Sequence, residues 1–168
     1  MPLELPILVG WQEWFALPQL GVRAIKAKID TGAKTSSLHA FNIEEFKKKH
    51  QRWVRFDVHP IQDNDEFIIP CEARVIDRRA VTNSGGQSEV RYVIKTSLDL
   101  HHKIKWDIEL TLTNRDTMVF RMLLGREAMQ HRVNVDPAHS CLLGRLSTKR
   151  VYKRYKILKV PTFGVSSI

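Results

Sequence analysis

The run AKIDTGAKTSSLHA, residues 27–40, closes an alternating apolar segment on a carboxylate and follows it at once with Thr31 and Gly32. Ile25, Ala27 and Ile29 alternate with Lys26 and Lys28, the period of a half-buried strand. A strand that ends in Asp30 and turns through Thr31 and Gly32 presents its carboxylate where the backbone reverses. The threonine adds a hydroxyl, and the glycine permits positive φ or a close backbone approach. Such a turn holds a carboxylate rigidly.

The same period of two recurs along the chain. Val54, Phe56 and Val58 alternate with Arg55, Asp57 and His59, and Trp106, Ile108, Leu110 and Leu112 alternate with Asp107, Glu109 and Thr111. Residues 71–76, 90–95 and 118–124 supply further strand segments, and TNSGGQS at 82–88 has the residues of a hairpin tip. Only 43–50 and 126–132 have a helical pattern, and both are short. No internal repeat or low-complexity segment interrupts this, so a mainly β domain is expected, closed into a barrel because many short strands must hide their edges.

With 168 residues, 43% of them hydrophobic, the chain has material for one compact domain. No run reaches the eighteen or so apolar residues of a membrane-spanning helix, and residues 1–10 lack the basic start, apolar stretch and small-residue cleavage site of a leader. A cytoplasmic location without membrane association is the expectation. Cys71 and Cys141 stand far apart with no second cysteine near either, the pattern of buried thiols rather than of a disulfide framework or zinc knuckle.

The formal charge of +9 is unevenly placed. Asp136 is the last acidic residue, and Arg145, Lys149, Arg150, Lys153, Arg154, Lys156 and Lys159 follow it; without those seven the chain carries +2. A basic tail of this kind attracts polyanions weakly or serves as a solvated edge.

A second apolar segment, MVFRMLLG at 118–125, runs into Gly125 and Arg126 with a short amphipathic helix behind it. An apolar strand into D-T-G-A followed by a later apolar strand into L-G-R resembles the retropepsin-like aspartic peptidases. IDTGAKTSSLHA together with MLLGREAM is more closely similar to the RimB group of bacterial proteins, which also carries the label ATP-dependent zinc protease. The resemblance spans about Val9 to Leu143 and implies a retropepsin-like closed β-barrel half with one or two short helices. Residues 1–145 would form the catalytic domain, with 146–168 as a basic arm or extra strand.

The resemblance implies that Asp30 is the catalytic carboxylate, that Thr31 braces the turn across a two-fold axis, and that Gly32 lines the cleft through its backbone. Ala33 and Lys34 would border the substrate, and Leu124, Gly125 and Arg126 would support the active-site loop. Gly85 and Gly86, followed by Val90, Tyr92 and Ile94, resemble a flap hairpin; a surface hairpin with no role over the cleft is the other reading.

Hydrolysis by carboxylates needs two of them sharing a proton, one polarising the carbonyl and one taking a proton from water. The chain has one D-T-G, so a second copy must supply the other aspartate, and a C2 homodimer is the closed solution. Ala33 stands where a serine could have donated to the ionised pair, so activity is expected nearer neutral pH than the acid range below about pH 4. In retroviral members the residue two past the D-T-G is acidic and pairs with the arginine of G-R. Here it is Lys34, leaving Arg126 to find Glu127 or Asp77. Two cations, Lys34 and Arg126, flanking the cleft would suit Glu- or Asp-rich peptides. RimB-like proteins are associated with a ligase that adds glutamates to a ribosomal protein, so such a glutamylated tail is the substrate the resemblance implies.

The zinc label has no H-E-x-x-H to rest on, and the seven histidines lack one-face spacing, so no metal is assigned. His101 and His102 would face opposite sides of a strand. No G-x-x-x-x-G-K-[ST] marks an ATP site, and no cofactor is expected. Cys141 near His139, and Ser36 and Ser37 near His39, are too close in sequence for a productive triad. The main rival is a non-catalytic basic β-barrel binding RNA, the ribosome or an acidic protein tail through 149–159, with Tyr152 and Tyr155 as stacking faces or, alternatively, as part of a buried edge strand. Trp11 and Trp14 would anchor the N-terminal strand to the barrel.

Overall fold

The computed structural model describes residues 5–101, 104–114 and 119–157. Strands β1 (Ile7–Val9) and β11 (Val133–Val135) form a small parallel pair. The main sheet contains β2 (Gln12–Leu17), β3 (Val22–Asp30), β4 (Ser36–His39), β5 (Phe41–Lys48), β6 (Gln51–Val58), β7 (Ile69–Thr82), β8 (Ser88–His101), β9 (Ile104–Thr113) and β10 (Met122–Gly125). Its order is β2-β3-β10-β4-β9-β8-β7-β6-β5. The mainly β expectation holds, but the barrel is not cleanly closed. A single bridge between Ala16 and Asp99 joins β2 to β8, and β7, β6 and β5 run on past that seam. The β2–β3 register shifts between Phe15 and Leu17, and the 14-residue strands β7 and β8 outrun their neighbours.

The period-two residues point inward as expected. Ile25, Ala27 and Ile29 on β3, Val54, Phe56 and Val58 on β6, and Trp106, Ile108, Leu110 and Leu112 on β9 all join one core. Burying each valine, leucine, isoleucine or phenylalanine among them stabilises the fold by about 1.5–3 kcal/mol. Strand β4 is buried along its whole length, because it lies between β10 and β9 under the site.

Residues 43–50 were expected to be helical, but β5 occupies most of them. Its outward side alternates with half-buried Phe41, Ile43 and Phe46, and it pairs antiparallel with β6. The reversal uses Lys49 and His50, both at positive φ (51° and 64°). Neither is the Gly or Asn that usually marks such a turn, which is why the hairpin is hard to see in the sequence. The expected helix at 126–132 is a single turn, α1 (Arg126–Met129); His131 takes φ 65° and the chain leaves for β11. Strand β10 starts at Met122, and Met118 lies outside the described residues.

In the C-terminal region, expected as a basic arm or extra strand, residues Thr148–Arg154 form a helix, α2. Ser147 caps it by accepting from the Arg150 N–H. Val151 and Tyr152 are buried against Ile61 in a second small core that also takes in Trp14, Leu146 and Tyr155. Trp14 thus anchors the tail helix, while Trp11 is 41% exposed. Lys159 and part of the basic run lie outside the described residues. No helix among the described residues is long and apolar enough to cross a membrane.

Burial pushes the Cys71 thiol up to about 12 and the Tyr155 hydroxyl up to about 12. Both groups keep their protons to higher pH folded than unfolded, where about 8.5 and about 10 are usual. Their contribution to stability is therefore complete below those unfolded values and is lost as pH rises toward about 12. Cys71 alone should give a slope of about 1.4 kcal/mol per pH unit above about pH 9. Melting curves across that range should fall, and Cys71→Ala should flatten the fall; a melting temperature insensitive to alkali would contradict this.

Candidate active site

Strands β3 and β10 run parallel with Asp30 and Gly125 as register partners, so the two motifs seen in the sequence end side by side. Gly32 and Ala33 turn their N–H groups back onto Asp30 Oδ1, at 3.0 and 3.2 Å. Asp30 Oδ2 has no hydrogen-bond partner among the described residues. One oxygen is fixed and the other is open. Gly32 does not use positive φ; its role is close approach, since a Cβ there would sit 3.3 Å from Asp30 Oδ1.

The loop after the turn is laced to the start of α1. The Arg126 N–H donates to the Ala33 carbonyl at 2.7 Å and the Glu127 N–H to the Lys34 carbonyl at 3.1 Å. Beneath them, the Gly125 N–H donates to Ser36 Oγ at 2.9 Å. A Cβ on Gly125 would meet the Thr35 carbonyl at 2.5 Å, so only glycine fits where the loop crosses β10.

A cleft of about 950 Å³ opens over this turn. Its floor includes Asp30, Gly32, Ala33 and Lys34, and its far wall is the β7–β8 hairpin through Arg79 to Ser84. Asn83 closes the hairpin tip, accepting from the Gln87 and Gly86 N–H groups. The arrangement is a rigid carboxylate facing a long two-stranded hairpin across a peptide-sized space.

Residues 8–145 match the profile of the RimB-like family, described as retropepsin-like aspartic endopeptidase RimB. The chain belongs to the RimB-like family. A Desulfotalea psychrophila protein named probable alpha-L-glutamate ligase is 51% identical over 148 residues, covering 88% of this chain and 32% of the relative. Proteins of the same name from Shewanella pealeana (49% over 150 residues) and Parasynechococcus marenigrum (50% over 159 residues) cover 89% and 95% of this chain. They are matched over 32% and 34% of their own lengths, so the RimB-like chain spans about a third of these curated relatives. A crystal structure of a Legionella pneumophila protein of unknown function superposes with a TM-score of 0.68 at 29% identity, over 82% of this chain and 98% of that one.

In the RimB-like site Thr31 and Gly32 are exposed, and Lys34 borders the cleft. The expected pairing of Arg126 with Glu127 or Asp77 does not occur. Arg126 Nη1 donates instead to the Thr31 carbonyl at 3.1 Å, bracing the turn from outside, and Lys34 Nζ takes Glu127 at 3.7 Å. The Lys34 pair is solvent-exposed and worth little energetically. Leu124 is buried in the core directly under the turn. Gly85 and Gly86 sit in the exposed hairpin tip, and Gly86 takes φ 82°; the cleft is lined by the residues just before them.

Two cleft residues were not foreseen. Arg79 and Arg91 are register partners across β7 and β8, a like-charge juxtaposition that carboxylates resolve. Arg79 donates to Asp77 (2.7 Å) and Glu109 (2.8 Å), while the buried Arg91 pairs with Glu89. Lys34, Arg79 and Arg91 therefore face Asp30, Glu109 and Glu127 in a cleft whose lining is balanced in charge. Glu13 was also missed. It is fully buried, and its carboxylate accepts from the Gly10, Leu142 and Leu143 N–H groups.

The other candidate centres dissolve. Cys141 is held above the ordinary thiol range by burial and by Glu13, and His139 binds Asp136. Tyr152 is 1% exposed and Tyr155 is bonded to the Ala24 backbone, so neither offers a stacking face.

Proposed function

We propose that the chain is an aspartic endopeptidase, active as a two-fold homodimer that places one Asp30 from each subunit at a shared centre. The observation that carries this is the Asp30 carboxylate, fixed at Oδ1 by two backbone N–H groups and open at Oδ2, on the floor of a cleft walled by the β7–β8 hairpin. In the pair, one aspartate is ionised and the other holds the proton. The ionised carboxylate takes a proton from water as its oxygen attacks the peptide carbonyl, while the protonated partner gives its proton to the carbonyl oxygen. The tetrahedral diol then collapses. Its C–N bond breaks, the amine nitrogen receives a proton, and acid and amine products leave.

Glutamate-rich peptide segments are the proposed substrates. Support comes from the relatives, in which this domain occupies about a third of a chain named probable alpha-L-glutamate ligase. A domain that opens peptide bonds beside one that adds glutamates suits removal or trimming of what was added. Assayed side by side, a glutamate-tailed peptide should be cut at least about tenfold faster in kcat/KM than its glutamine-tailed counterpart. Equal rates would remove the acidic-substrate part of this proposal and leave the peptidase part standing.

A further inference from the structure

The catalytic cleft is balanced in charge, yet the chain is strongly basic. The excess lies elsewhere. At the far end of β8, a cavity of about 240 Å³ opens between β2, the 143–146 segment and α2. Arg145, Arg150 and Arg154 converge on it, and Asp99 is its one acidic lining residue. None of the three guanidinium groups has an ion-pair partner among the described residues. They are exposed, but the backbone that carries them is fixed. Ser147 caps α2, Val151 and Tyr152 are buried beneath it, and Arg23 Nη1 donates to the Arg154 carbonyl.

We propose that Arg145, Arg150 and Arg154 form an exosite that binds carboxylates of the acidic substrate segment away from the scissile bond. The identity of that segment rests on the glutamate reading above; the site itself does not depend on catalysis. Arginine suits the task, because a planar guanidinium takes a carboxylate through two parallel N–H bonds. The pocket also has an apolar side, Trp14, Leu143 and Leu146, on which the methylene stems of glutamate can lie. Distance fits as well. Arg91 borders the catalytic cleft and Asp99 borders this pocket, eight residues along one strand, which is about 26 Å. An extended peptide of about eight residues spans that gap. A nucleic acid is less well served, since Tyr152 and Tyr155 are both committed to the fold.

The test uses the full chain carrying Asp30→Asn, so that binding is read without turnover. Fluorescence anisotropy with a labelled hexaglutamate peptide should give saturable binding that R145Q/R150Q/R154Q weakens at least about tenfold. The control K47Q/K49Q/K95Q removes the same charge from exposed lysines elsewhere and should change affinity by less than about threefold. Hexaglutamine should not bind. The exosite is overturned if the arginine variant, with an unchanged melting temperature, binds as its parent does. It is equally overturned if the lysine control loses as much, or if a single-stranded oligoadenylate binds more tightly than hexaglutamate through the same arginines. Binding here together with absent hydrolysis in the unmutated protein would remove the peptidase reading alone.

Discussion

Asp30→Asn should lower kcat/KM on a glutamate-tailed peptide by at least about a thousandfold, because the only carboxylate at the turn is gone and neither acid nor base remains. The fold should survive. An asparagine side-chain oxygen can still accept the Gly32 and Ala33 N–H groups that Asp30 Oδ1 accepts at 3.0 and 3.2 Å. The variant should therefore melt within a few degrees of its parent and elute from a sizing column at the same position. Retained hydrolysis by a well-folded variant would remove Asp30 from the chemistry, and with it the proposed mechanism.

The largest loss of stability is expected at a residue far from any motif. Glu13 is fully buried and holds three backbone N–H groups, those of Gly10, Leu142 and Leu143, at 2.7, 2.8 and 3.0 Å. It ties the start of β2 to the segment that leads toward α2. Glu13→Ala removes the acceptor of all three donors, the Gly10 N–H buried and the Leu142 and Leu143 N–H groups part-buried, and a fully buried group left so costs about 1–3 kcal/mol. Allowing for relaxation and entering water, the loss should be about 3–5 kcal/mol, or on the order of 10 °C in melting temperature. Glu13→Gln keeps one acceptor oxygen but turns an NH2 toward a donor, so it should fall between the two. Urea unfolding reads all three; an alanine variant as stable as its parent would mean that water replaces the carboxylate.

The parts of this molecule that were legible in the sequence are those where local pattern and tertiary role coincide. Ile25, Ala27 and Ile29 alternate because β3 has one face in the core, and D-T-G follows because the turn needs a small residue against the carboxylate. Gly125 was found through its motif, and its physical reason, the Thr35 backbone crossing at 2.5 Å, appears only in three dimensions. The β5–β6 hairpin was hidden because Lys49 and His50 take positive φ without being glycine or asparagine. Helix α2 was obscured by its charge: Val151, Tyr152 and Tyr155 have helical spacing, but the lysines and arginines between them suggest a solvated tail. The pairs of Lys34 with Glu127 and of Arg79 with Glu109 were beyond reach, because they depend on which segments become neighbours. Arg91 meets Thr111 Oγ1 only because β8 pairs with β9.

The account depends on two chains building one centre, and subunit mixing measures that directly. Unmutated protein and Asp30→Asn are combined in equal amounts, allowed to exchange subunits, and assayed at constant total concentration. If each active particle needs an Asp30 from both subunits, random pairing leaves about a quarter of the unmixed activity. Activity of about half, the value for chains that each work alone, would contradict it.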